Sequence, residues 1–113
     1  MLLFKKKFLE AIRRGDKTQT VRLWKHRRMR AGQRSYIPGA GYIRVDAVDE
    51  VELHDLTDED AVRDGFASAA QLRSEIDLLY REQITAGFRA YRVRFHAVAK
   101  EEAEAPDFSH ELH

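Results

Sequence analysis

Cysteine is absent from these 113 residues, which excludes a disulfide framework, a thiolate metal site and a thiol nucleophile. No apolar run approaches the roughly 20 residues that a membrane-spanning helix needs. The opening Met1-Leu2-Leu3-Phe4 runs at once into Lys5-Lys6-Lys7, the reverse of the order in a secretory signal, so a cytoplasmic chain that avoids membranes is expected. Neither a glycine-rich phosphate loop nor a Ser/His/Asp order is visible. The five histidines, His26, His54, His96, His110 and His113, lack metal-ligand spacing, so no metal and no other cofactor is expected.

What is present describes a folded domain. The chain is 43% hydrophobic and 35% charged, against about 25% charged in an average globular protein. One domain over 1–100, monomeric, with an acidic, flexible tail over 101–113, is the expected organisation. The formal net charge of +1 hides an asymmetry. Up to Arg44, thirteen basic residues face two acidic ones, giving +11, whereas from Val45 onward seven basic residues face seventeen acidic ones, giving −10. Such a split suits a polyanion-binding face backed by an acidic surface. The plainer alternative is that the two halves pair with each other in the fold.

Periodicity sketches the elements. Leu2-Leu3-Phe4 reads as a short strand, and residues 6–14 as a helix with Phe8, Leu9 and Ile12 on one side and Gly15 at its C-terminus. Residues 18–24 read as a strand, 25–32 as a basic loop, and 35–37 with 42–45 as a hairpin turning at Pro38-Gly39-Ala40-Gly41. A further strand is expected over 48–54. Thr57 is a natural N-cap for a short helix ending near Gly65. A second helix from Ser68 places Leu72, Ile76 and Leu79 on one face. Residues 91–98 alternate without a fault and form the clearest strand. Strands on both sides of a helical insertion indicate an α+β fold around a small curved sheet or barrel.

The chemistry concentrates between Gly15 and Arg22. On a strand Thr18, Thr20 and Arg22 share a face, and Lys17 stands at its entrance. An ammonium, a hydroxyl and a guanidinium together suit an anionic or carbonyl-bearing ligand. Next to them, Lys25, Arg27, Arg28, Arg30 and Arg34 form a cationic stretch beside Trp24, with Tyr36 and Tyr42 further on. Cations among aromatics are the composition of a single-strand binding site. Trp24 is equally suited to the core, and the basic run to a merely solvated loop.

Phe8-Leu9-x-x-Ile12-x-x-Gly15-x-Lys17-Thr18-x-Thr20-x-Arg22, followed by a basic loop and Gly32, resembles the opening signature of the ASCH family (activating signal cointegrator homology). Leu56-Thr57-Asp58-Glu59-Asp60-Ala61 and the final strand agree with it, so the resemblance spans roughly residues 2–99. It implies a small PUA-like β-barrel of about five or six strands with flanking helices, and a cleft beside the motif for RNA or a modified base. One branch of the family removes the acetyl group from N4-acetylcytidine. By resemblance to that branch, Thr20 would be the nucleophile, Lys17 the base and Asp64 the carboxylate. The branch carries Glu where this chain has the shorter Asp64, and Glu59 and Asp60 are alternatives. The first expectation is therefore binding of RNA or a modified nucleoside through Lys17, Thr20, Arg22, Trp24 and the basic loop. The second is N4-acetylcytidine amidohydrolysis, and the third is ribonuclease activity.

Overall fold

A computed structural model describes residues 2–100; the acidic tail expected over 101–113, with His110 and His113, lies outside the described residues. The elements run α1 (Lys6–Arg14), β1 (Gln19–Trp24), β2 (Arg34–Ile37), β3 (Gly41–Val51), a 3-10 turn (Leu53–Asp55), α2 (Asp58–Asp64), α3 (Ala69–Thr85) and β4 (Arg89–Val98). The four strands form one antiparallel sheet in the order β1-β4-β3-β2, curled into a half-barrel. β4 lies inside the sheet, and this explains its clean alternation: Tyr91, Val93 and Phe95 face one side and Ala90 the other.

Each face carries its own core. Ile12 of α1 joins Met29, Ile37, Ile43, Val45, Tyr91, Val93 and Phe95 inside the curl. Val21, Leu23 and Ala90 on the reverse face pack against Leu56, Ala61, Leu72 and Ile76 of the helical segment. Hence α1 covers one side of the sheet, and α2 and α3 the other.

Three expectations need correction. Leu2-Leu3-Phe4 is not a strand among the described elements. The Leu3 carbonyl accepts from the Arg22 guanidinium at 2.7 Å instead of from a neighbouring strand, while Leu2 is buried in the core. The separate strand expected over 48–54 does not exist either. β3 runs unbroken from Gly41 to Val51 through a register shift between Val45 and Ala47, and the chain then turns into the 3-10 segment. A bulge flips the phase of the alternation, which makes one bent strand look like two. Finally, the described residues form four strands curled into a half-barrel, fewer than the five or six that the resemblance implied.

The helical segment follows its local signals. Thr57 and Asp60 form a complete capping box at the start of α2: the Thr57 hydroxyl accepts from the Asp60 N–H, and the Asp60 carboxylate accepts from the Thr57 N–H at 3.0 Å. The same carboxylate accepts from Arg92 on β4 at 3.3 Å, fastening α2 to the sheet. In α3, Leu72 and Ile76 are buried, but the helix loses its regular geometry at Tyr80 (φ −124°, ψ 22°), and Leu79 is 47% exposed.

Candidate functional site

The motif stands where three elements meet. Gly15 ends α1 at φ +82°, and the Asp16 and Lys17 amides turn back to the Ala11 carbonyl. The Thr18 N–H then donates to the Arg63 carbonyl at 2.9 Å. This double anchoring lays the Lys17 side chain across the C-terminus of α2, where it is only 2% exposed. Its Nζ donates to Asp64 Oδ1 at 2.6 Å and to the Asp64 backbone carbonyl. Lys17 thus both pairs with a carboxylate and caps the helix, where a cation is favoured. Gly65 makes the junction possible. It sits at φ +94°, and a Cβ there would lie 3.2 Å from Phe8 Cε1 and 3.9 Å from Lys17 Cδ.

The Thr20 hydroxyl, on the open edge of β1, accepts from Arg22 Nε at 3.0 Å. Its own proton has no acceptor among the described residues. Arg22 lies over the Phe4 ring, 4.8 Å from its centre, and Lys17 Nζ over the Phe8 ring at 4.5 Å. Lys17, Thr20, Arg22 and Asp64 supply polar groups to a single pocket of about 240 Å³, with Phe4, Phe8, Phe66 and Tyr80 in its apolar wall. Lys5 and Glu75 also line it and form an ion pair at 3.0 Å.

Burial dominates the electrostatics. It pushes the Lys17 ammonium below the usual lysine range, against the pull of the Asp64 charge, with Arg22 and Lys7 adding to the downward push. It likewise pushes Asp64 above the usual carboxylate range, with Lys17 opposing. Both shifts favour the uncharged forms, so moving the proton from Nζ to Oδ1 costs less here than between an exposed lysine and aspartate. Asp64 Oδ2 is buried with no hydrogen-bond partner among the described residues. A buried acceptor left open in this way awaits a donor. Of the alternatives to Asp64, Glu59 points away into an exposed pair with Arg63 at 2.6 Å, and Asp60 is consumed by the cap and Arg92.

The residues expected at a nucleic-acid surface are divided. Trp24 is half-buried against the inner core and stacks at 5.5 Å on Tyr91. Arg27 donates to the Val48 carbonyl and lies over the Tyr91 ring at 5.5 Å, so its guanidinium fastens the loop to the sheet. Lys25, Arg28, Arg30 and Arg34 are exposed. Tyr36 and Tyr42 pair with each other at 5.1 Å across the β2–β3 hairpin. Sequence reasoning missed the aromatic wall and Glu75. The four-residue spacing of Phe4 and Phe8 and the placement of Phe66 just after Gly65 were the available signals. Among the described residues no group of three or more His, Asp or Glu side chains is placed to hold a metal ion.

No family model matches the sequence, and no curated protein matches it in sequence. Solved structures do match. One is the ASCH domain from Lactobacillus crispatus JV V101, with a TM-score of 0.62 at 16% identity, over 78% of this chain and 68% of that one. Another is a protein of Enterococcus faecalis V583 described by the family DUF984, with a TM-score of 0.65 at 16% identity, over 81% and 70%. The hypothetical protein PH0355 gives a TM-score of 0.71 at 16% identity, over 85% and 95%. The chain therefore has the α+β fold of an ASCH domain. No described helix is long and apolar enough to cross a membrane.

Proposed function

We propose that the pocket binds an N4-acylated cytidine and hydrolyses its amide. The observation that carries this reading is the buried Lys17–Asp64 pair, 2.6 Å apart, in the same small aromatic pocket as the Thr20 hydroxyl. About 240 Å³ lies below the roughly 300–1,000 Å³ of drug-sized sites, which suits one nucleoside and not a run of strand. The aromatic wall suits a pyrimidine ring.

The chemistry follows from the proton's position. When the proton of the pair moves to Asp64, Lys17 is a neutral amine and takes the Thr20 proton as Thr20 Oγ bonds to the acyl carbon. Arg22, already donating to Oγ, stands beside the developing negative charge. The carbon–N4 bond breaks as Asp64 passes its proton to the departing amine, restoring the ammonium–carboxylate pair and leaving an acyl ester on Thr20. Water then attacks that ester by the reverse proton route and releases the carboxylic acid.

Incubation with N4-acetylcytidine should release cytidine and acetate, measured by chromatography; no release would remove the reading. Turnover should also be bell-shaped in pH. Since the working pair holds one proton, activity falls on the acid side as a second proton binds, at a pH above the usual carboxylate range because Asp64 is raised. It falls on the alkaline side as the last proton leaves, below the usual lysine range because Lys17 is lowered. A bell as wide as ordinary Asp and Lys values allow would contradict this mechanism.

A second reading, an RNA-binding module without chemistry, draws on the exposed Lys25, Arg28 and Arg30. Its mark is a salt-sensitive affinity for single-stranded RNA, with a log–log slope of about 0.7 per phosphate contacted. Replacing those three residues by Ala should flatten the slope, and an unchanged slope moves any RNA surface elsewhere.

A further inference from the structure

Beyond Arg22 the surface sinks again into a second groove of about 500 Å³, which shares Leu3 and Arg22 with the pocket. Trp24, Arg28 and Gln33 supply its other polar groups, and Met29 contributes to an apolar floor. The Arg28 guanidinium makes no hydrogen bond or ion pair to any other described residue, and the Trp24 indole N–H has no partner among them either. Gln33 Oε1 already accepts from the Arg30 N–H at 3.2 Å, which leaves its amide nitrogen as a free donor. The lining therefore offers donors and a cation and contains no carboxylate. Uncommitted donors around a guanidinium with no acid nearby suit an anion with several acceptor oxygens. The first pocket cannot serve an anion in this way, because its own carboxylate, Asp64, faces it.

We propose that this groove receives the phosphate of a nucleotide whose base occupies the Lys17 pocket, so that the preferred substrate is a phosphorylated nucleoside or a nucleotide unit of a strand, not the free nucleoside. The proposal rests on the hydrolase reading of that pocket and adds the substrate's second recognition element. Arg22 is the divider: Nε serves Thr20, Nη2 holds the Leu3 carbonyl at 2.7 Å, and both cavities meet at its side chain. Arg28 is the phosphate partner, since its exposed and unpaired guanidinium gives up no other contact to bind.

The test compares kcat/KM for N4-acetylcytidine, its 5′- and 3′-monophosphates and a short single-stranded RNA with one acetylated cytidine. At least one phosphorylated form should be cleaved about tenfold or more faster than the nucleoside, and Arg28→Gln should abolish that ratio, measured on the same variant. A gain with a monophosphate identifies free nucleotides as the source of the phosphate, and a gain confined to the oligonucleotide identifies a strand. Equal efficiency for all forms, or a ratio that survives Arg28→Gln, overturns the proposal. If no form is cleaved, the single tryptophan, Trp24, reports groove occupancy by its fluorescence. An Arg28-dependent preference for cytidine monophosphate over cytidine would then uphold the groove while the hydrolase reading fails. Absence of that preference would overturn both.

Discussion

Thr20→Val is expected to lower turnover of N4-acetylcytidine by about a thousandfold or more, roughly 4 kcal/mol of transition-state stabilisation, while ligand affinity changes little. Valine keeps the branched shape at a site only 5% exposed and deletes the one hydroxyl proposed to attack. Arg22 Nε loses its acceptor in this variant, and because the bond is only part-buried the fold cost sits toward the low end of about 1–3 kcal/mol. Its second contact, to the Leu3 carbonyl, remains and limits the movement of the guanidinium. Single-turnover kinetics together with Trp24 fluorescence titration separate the two effects. A Thr20→Val enzyme with near wild-type turnover would rule out the hydroxyl as nucleophile.

Lys17→Met should be the most damaging single change to stability. It leaves Asp64 buried without its cation, and removing one partner of a buried pair costs about 3–5 kcal/mol. The raised affinity of Asp64 for a proton places this variant toward the lower end of that range, because the carboxyl can neutralise itself. At roughly 4–8 °C per kcal/mol for a domain of this size, the midpoint of thermal unfolding should fall by more than about 10 °C. Adding Asp64→Leu should restore much of the loss, since an apolar pair of similar volume often matches a buried ion pair. Urea unfolding of the two single variants and the double variant gives the coupling directly. Simple additivity would show that the two side chains do not act as a pair. Lys17→Arg is a poor substitute for this test: wedged between Phe8 and the end of α2, the site has little room for a guanidinium.

Local chemistry wrote much of this fold legibly. Gly15 after a three-residue apolar stripe marked the end of α1, and Thr57 with Asp60 marked the start of α2, because caps depend on neighbours only three or four residues away. The choice of Asp64 over Glu59 and Asp60 also has a helical origin, since only its position at the last turn of α2 meets Lys17. Long-range placement was not legible. Nothing near Arg27 announces that its guanidinium will lie on Tyr91, and nothing near Asp46 announces that β3 bends there instead of ending. The motif from Gly15 to Arg22 indicated where to look. The aromatic wall was hidden because Phe4, Phe8, Phe66 and Tyr80 come from separate segments that read individually as core.

The place of β4 bears on how the molecule comes into being. Among the described strands β1 pairs only with β4, Gln19 opposite Arg94 and Trp24 opposite Arg89, and β4 is the last of them. During synthesis the segment carrying Thr20 and Arg22 must wait for some seventy later residues before it has any strand to join. Until then only the β2–β3 hairpin and the individual helices can form from neighbouring residues. Closing so long a loop before the pairing repays it slows the search, as non-local topologies generally do.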